Sequence, residues 1–230
     1  LKIIFLGTPE FAVPTLEGLC ESEEHEVLAV FTQPDRPKGR SRKLLPPIIK
    51  VVAEKYNLPV FQPENINNEY SHNILEKYNP DIIVTVAYGQ ILKKKILELP
   101  QYGCINLHSS LLPKYRGAAP MNWAIINGEK TSGLTTFYLD KGMDTGDIIF
   151  KEEIHIPKNI NVGHYHDILA ERGKKLILKT LKAIAKGTAP RIPQDHSEAT
   201  YAPKISKQDG LIDWRSEERR VGKECFVPCR

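Results

Sequence analysis

An amide and an imidazole two positions apart, Asn106 and His108, sit in a run from Cys104 to Pro120 that reads as a strand breaking into a tight turn. Cys104, Asn106 and His108 alternate with Ile105 and Leu107, so a strand here sends its polar members to one face and its apolar members into a core. Ser109, Ser110 and Pro113 end the run. Both side chains then stand at the carboxyl end of a strand, where open α/β sheets bind ligands. A side-chain amide donates to an oxyanion, and an imidazole supplies a second donor or moves a proton. The Gly- and Asp-rich segment Asp140 to Asp147 offers a carboxylate, with Asp144 expected to reach the strand end and orient or charge the imidazole. Such a set suits acyl transfer. No protein nucleophile stands in it, because Cys104 lies two positions deeper, where a buried inert thiol is expected. Attack then falls to a substrate amine, whose ordinary pKa of ~8 leaves a neutral fraction near neutral pH.

Competing chemistry is excluded by spacing. Gly7-Thr8-Pro9-Glu10 follows the first strand but lacks the glycines of a dinucleotide fingerprint, and it puts a ring and a negative charge where phosphates would lie, so no NAD site is expected. Counted from Asp140, a calcium loop would need glycine at Thr145 and a bidentate glutamate at Lys151, and it has neither. A hairpin turn whose aspartates bond only to their own backbone is an equal competitor for this loop. His164 and His166, two apart on a helix, do not face each other and are read as surface residues. Cys225 and Cys229 lack a second ligand pair, so no metal is expected.

The elements that must position these residues follow from hydrophobic period. Lys2 to Leu6, Val27 to Thr32, Val60 to Phe61 and Asp81 to Val86 are short apolar runs separated by helix-like segments, Glu10 to Cys20, Pro47 to Tyr56 and Tyr70 to Tyr78. This alternation indicates βαβ units and a largely parallel twisted sheet with helices on both faces, an α/β fold. After a short helix from Pro120 to Ile126, the extended runs Leu134 to Leu139 and Asp147 to Ile156 flank the Asp144 loop and predict an added antiparallel hairpin. Val162 to Lys186 is the longest helical pattern, stopped by Gly187.

With 230 residues the chain can bury one sizeable core, one domain with an appended segment. Its 32 lysines and arginines against 28 acids give a net charge of +4, unevenly placed. Arg36, Lys38, Arg40, Arg42 and Lys43 cluster within eight positions against one nearby acid, Asp35, which suggests a local polyanion contact. Cys20, Cys104, Cys225 and Cys229 form no disulfide framework, so a reducing, cytoplasmic setting is expected. No apolar run of ~18 residues suggests a membrane span, and the opening segment is too short and strand-like for a signal peptide.

The segment Asn106 to Pro120, with Asp140-x-Gly142-Met143-Asp144-Thr145-Gly146, resembles the signature of the 10-formyltetrahydrofolate-dependent formyltransferases. That resemblance implies a Rossmann-like formyltransferase fold and the catalytic set Asn106, His108 and Asp144. It also implies a folate-contacting turn at Ser110, Leu111, Leu112 and Pro113, and a pocket-lining turn at Ala87, Tyr88 and Gly89. Within the family, Gly7 to Ala12 and Thr32 to Lys43 are similar to the members that formylate the methionyl group on initiator tRNA, and the similarity runs from about Lys2 to Trp214. Arg36, Lys38, Arg40, Arg42 and Lys43 then belong to an inserted flexible loop that approaches the tRNA acceptor end. The co-substrate implied is 10-formyltetrahydrofolate, with no metal and no NAD, and a monomer is expected. The domains implied are a catalytic domain over 1–187 and a linker over 188–214 toward a carboxy-terminal β-barrel that the chain lacks. The tail, 215–230, matches no part of the family and is expected to be foreign to it. The alternatives are a formyltransferase acting on a small amine, such as a nucleotide sugar or glycinamide ribonucleotide, and an inactive folate- or RNA-binding module.

Overall fold

A computed structural model describes residues 1–38 and 43–211; Arg40, Arg42, Cys225, Cys229 and the segment 215–230 lie outside the described residues. The chain runs through β1 (Lys2–Gly7), α1 (Val13–Cys20), β2 (Glu26–Phe31), β3 (Arg36–Lys38), β4 (Lys43–Leu45), α2 (Ile48–Lys55) and β5 (Val60–Phe61). It continues with α3 (Glu69–Tyr78), β6 (Ile82–Val86), α4 (Lys94–Leu97), β7 (Cys104–His108), β8 (Arg116–Gly117) and α5 (Pro120–Ile126). The hairpin strands β9 (Thr131–Tyr138) and β10 (Ile148–His155), the long helix α6 (Val162–Ala185) and the short strand β11 (Tyr201–Ala202) complete it.

Seven strands form one sheet in the order β10-β9-β7-β6-β1-β2-β5. The pairs β1/β2, β1/β6, β2/β5 and β6/β7 are parallel, whereas β9 joins β7 and β10 joins β9 antiparallel. This is the expected mostly parallel sheet with an added hairpin. Successive residues of one strand serve opposite layers. Ile3 and Phe5 of β1 pack in the core with α1, α2 and α6, while Ile4 and Leu6 pack with α3 and α4. In β7, Ile105 and Leu107 join the first layer and Cys104 the second, which sends Asn106 and His108 toward the second layer's side. Gly173 lets α6 sit close under β7, because a Cβ there would stand 2.5 Å from a methyl of Leu107.

Side-chain caps start two of the helices. The Asn68 side chain accepts the Ser71 N–H at the start of α3, and Asn161 accepts that of His164 at the start of α6. Pro14 falls in the first turn of α1, where its missing N–H costs nothing. Two expectations change. The basic insert, expected as a flexible loop, has an antiparallel ribbon at its base, with Arg36 opposite Leu45 and Lys38 opposite Lys43. Within the expected linker, residues 192–203 form a strap bonded to the sheet and its loops. Ile192 exchanges both backbone hydrogen bonds with Ile148, β11 pairs with β8, and the Ala202 carbonyl accepts from Ala118 and Ala119. Prolines hide this strap from any periodic reading, and its pairings, one isolated bridge and one two-residue ladder, are too short to show a period. No helix among the described residues is long and apolar enough to cross a membrane.

Candidate active site

The order of the sheet reverses between β1, which leads to β2 on one side, and β6, which leads to β7 on the other, and a cavity of about 620 Å³ opens at the carboxyl ends of these strands. Open α/β sheets place ligands at this switch point. Pro9 and Phe11 come to the cavity from the turn after β1, Ala87 to Leu92 from the turn after β6, and Asn106, His108 and Ser109 from the end of β7. Asp140, Gly142, Met143 and Asp144 enter from the β9–β10 loop. The cavity's size falls in the ordinary range for a small organic ligand.

His108 is 6 % exposed, and its ring meets Phe137 edge to face. Its Nε2 lies 2.8 Å from the carbonyl oxygen of Tyr115. A carbonyl only accepts, so Nε2 carries the proton, and Nδ1 is the nitrogen left with a lone pair in the neutral ring. Nδ1 stands 3.8 Å from Oδ2 of Asp144, close enough for charge attraction and too far for a direct hydrogen bond. Asp144 is a non-glycine residue in the left-handed region, with φ of 56°. Its Oδ2 accepts the Gly117 N–H at 2.8 Å. The two readings of the aspartate loop therefore divide between its members. Asp140 bonds within the loop, to the Gly142 N–H and the Thr145 hydroxyl, while Asp144 reaches out to β8 and His108. Gly146 makes the turn possible, since a Cβ there would collide with the carbonyl of Tyr138.

Asn106 is half-buried in the cavity wall. Its register partner on β6 is Thr85, whose buried hydroxyl has no hydrogen-bond partner among the described residues and also borders the cavity. Cys104 is buried, and burial pushes its thiol pKa well above the ordinary value, so it is no nucleophile. Among the described residues no three metal-ligating side chains cluster.

Of the expected pocket residues, Ala87, Tyr88 and Gly89 line the cavity, with Ala87 and Gly89 at positive φ. The Ser110 to Pro113 turn does not. Its Ser110 hydroxyl turns back to the Lys114 carbonyl, and Leu112 is buried in a small apolar cluster with Phe137 and Ile148. This turn shapes the site from behind: Thr135 of β9 bonds the Ser110 carbonyl and receives the Leu112 N–H. Arg36 and Lys43 are exposed on the ribbon. His166, read as a surface residue, instead borders the cavity and packs edge-on against Phe11, while His164 is exposed as expected. The sequence reading also missed Thr85, although it is the one polar residue in the apolar run Ile82 to Val86, and both methionines of the chain, Met121 and Met143, which line the cavity.

Comparison with known proteins shows the family and the fold. The formyl transferase family model matches residues 1–181. A methionyl-tRNA formyltransferase of Acetivibrio thermocellus is 51 % identical over 221 residues, covering 96 % of this chain and 71 % of that protein. One from Alkaliphilus oremlandii is 53 % identical over 214 residues, covering 93 % and 69 %. Among solved structures, glycinamide ribonucleotide transformylase 1 from Symbiobacterium toebii superposes with a TM-score of 0.69 at 16 % identity, over 84 % of this chain and 93 % of that one. An N-formyltransferase from Helicobacter canadensis, in complex with folinic acid and dTDP-3-aminofucose, gives 0.66 at 24 % identity, over 91 % and 72 %. With half of its residues identical to theirs across nearly its whole length, the chain belongs to the formyl transferase family, alongside the methionyl-tRNA formyltransferases.

Proposed function

We propose that the chain moves the formyl group of 10-formyltetrahydrofolate to the α-amine of methionine carried on initiator tRNA. The observation that carries this reading is the meeting of an amide, an imidazole and a carboxylate at one switch-point cavity whose described lining includes no cysteine, in a chain about half identical to methionyl-tRNA formyltransferases. The folate supplies the activated formyl group, and the apolar walls formed by Ile91, Leu92, Leu97 and Leu139, with the backbone of Ala87 to Gly89, suit a flat heteroaromatic ring.

The amine lone pair forms a bond to the formyl carbon, and the carbonyl π electrons move onto oxygen. Asn106 donates an N–H to that oxygen. His108, its Nε2 held on the Tyr115 carbonyl, works through Nδ1, as a base in the neutral ring and as a second donor once protonated. Asp144 faces that nitrogen and favours the imidazolium that forms when the amine gives up its proton. Collapse of the adduct re-forms the carbonyl and breaks the bond to the folate nitrogen, which takes up a proton. The exposed cations Arg36 and Lys43 support an approach of tRNA phosphates along the ribbon. Formyl transfer from 10-formyltetrahydrofolate to methionine-charged initiator tRNA, measured for this chain and its His108→Ala variant, tests the reading. Transfer that collapses in the variant supports it; transfer to a small amine, with indifference to tRNA, overturns the tRNA part.

A further inference from the structure

We propose that Gln194 is the positioning residue for Asp144 and that Arg116 fixes the orientation of its amide. This inference rests on the reading of Asp144 as a member of the transfer site. Gln194 lies on the strap, beyond the residues the family model matches, in a stretch whose sequence suggests only a linker. It is 7 % exposed between two exposed neighbours, Pro193 and Asp195. Its side-chain Nε2 donates to the carbonyl of Asp144 at 2.9 Å and to that of Gly146 at 2.8 Å, so both of its N–H bonds go to the carbonyls on either side of Thr145. Its Oε1 accepts from Arg116, at 3.2 Å from Nε and 2.6 Å from Nη2.

Arg116 is 2 % exposed, and its partners among the described residues are this amide and the Nδ1 of His196, not a carboxylate. A buried guanidinium only donates, so it turns the amide oxygen toward itself and the amide nitrogen toward the loop. The reversed amide would oppose donor to donor on one side and acceptor to acceptor on the other. Gly117, next to Arg116, holds the Asp144 carboxylate through its N–H. The aspartate is thus gripped twice from one place, by its backbone through Arg116 and Gln194 and by its side chain through Gly117. That grip accounts for a non-glycine residue at φ of 56° beside the reacting groups. Without the amide, two loop carbonyls lose their donor, the buried cation keeps only His196, and Asp144 is free to leave the left-handed region and draw its carboxylate away from His108.

The test uses Gln194→Met, which removes donor and acceptor at similar volume, and Gln194→Glu, which keeps an acceptor for Arg116 and removes the donor. Both variants are expected to lose about 10- to 100-fold in kcat, as misplacement of a catalytic group by about an ångström does, with KM for the formyl donor changed less than threefold. Gln194→Glu sets a carboxylate oxygen against the two loop carbonyls, so its Tm is expected to fall; kinetics taken well below that Tm separate the roles, because a merely structural role would leave the kcat of the folded variant parental. Arg191→Ala, just before the strap and stacked on Tyr138, is expected to keep kcat. The Gly117 amide reports Asp144 placement without turnover: in both variants its NMR resonance should move and its hydrogen exchange should quicken at least tenfold. A kcat within threefold of the parent in either folded variant, or an unmoved Gly117 amide, overturns the proposal. A parent that transfers no formyl group would instead sink the reading of the site, and the Gly117 amide would still decide whether Gln194 holds Asp144.

Discussion

At the scale of single residues, the proposed site sets an amide on a strand beside an imidazole that faces a carboxylate held by a loop. Asn106 is fixed by the ladder of β7, so replacing it removes a donor without moving the backbone. Asn106→Ala is expected to lower kcat by roughly 10² to 10³ while leaving Tm near the parent's, and near-full turnover would remove Asn106 from the reaction. Cys104 provides the opposite case. Its thiol donates weakly to the carbonyl of Ile96 and is raised by burial, so a thiolate is scarce at working pH. Cys104→Ala should therefore keep turnover within a few-fold, and the peptide carrying Cys104 should stay unmodified when the native protein is treated with iodoacetamide and mapped by mass spectrometry. Labelling of Cys104 with matching loss of activity would reopen covalent catalysis.

At the scale of elements, the parts legible in the sequence were those with a period. β7 showed through its alternation, α6 through its apolar stripe, and the hairpin through two extended runs around a glycine-rich loop. The ribbon of β3 and β4, the one-turn helix α4 and the β8–β11 pair are too short to carry any period, and Gln194 looked like one polar residue in a proline-rich tail. His166 was misplaced for another reason: its position on α6 was read correctly, but nothing in the helix pattern says that Phe11 folds over against it. The ribbon has its own anchor. Asp35 at its base accepts from the Gln62 amide and the Lys50 ammonium, which hold its carboxyl below the ordinary carboxylate value. A depressed carboxyl contributes above its unfolded pKa of about 3.9 and loses that contribution as pH falls through the lower folded value. The Gln62 side-chain amide resonances should therefore stay constant from neutral pH to about pH 4 and shift only below it. Arg36→Gln with Lys43→Gln should lessen the log–log salt slope of tRNA binding by about 1.5 to 2 without affecting the formyl donor. An unchanged slope would take the ribbon out of tRNA recognition.

At the scale of the whole molecule, the site draws on residues from Pro9 to Gln194, and the sheet alone does not complete it. The strap returns to β8, to β10 and to the start of α5, where the Trp123 indole donates to the Pro203 carbonyl. Ending the chain at residue 187 would strip partners from the backbone N–H groups of Arg116, Ala118 and Ile148. Hydrogen bonds of this kind are worth about 0.5 to 1.5 kcal/mol each, so this shortened chain is expected to unfold at a lower temperature and to lose activity, whereas one ending at residue 211 should keep the fold. Equal thermal midpoints would show that the strap is only an appendage. The two methionines make the same cavity visible from outside. Because Met121 and Met143 are the only methionines in the given sequence and both border the cavity, one from the α5 side and one from the β9–β10 loop, methyl-¹³C methionine labelling places two probes within this stretch, both reporting on that cavity. Ligand arrival and loop rearrangement could then be followed in a spectrum free of overlap, without adding a probe or changing a residue.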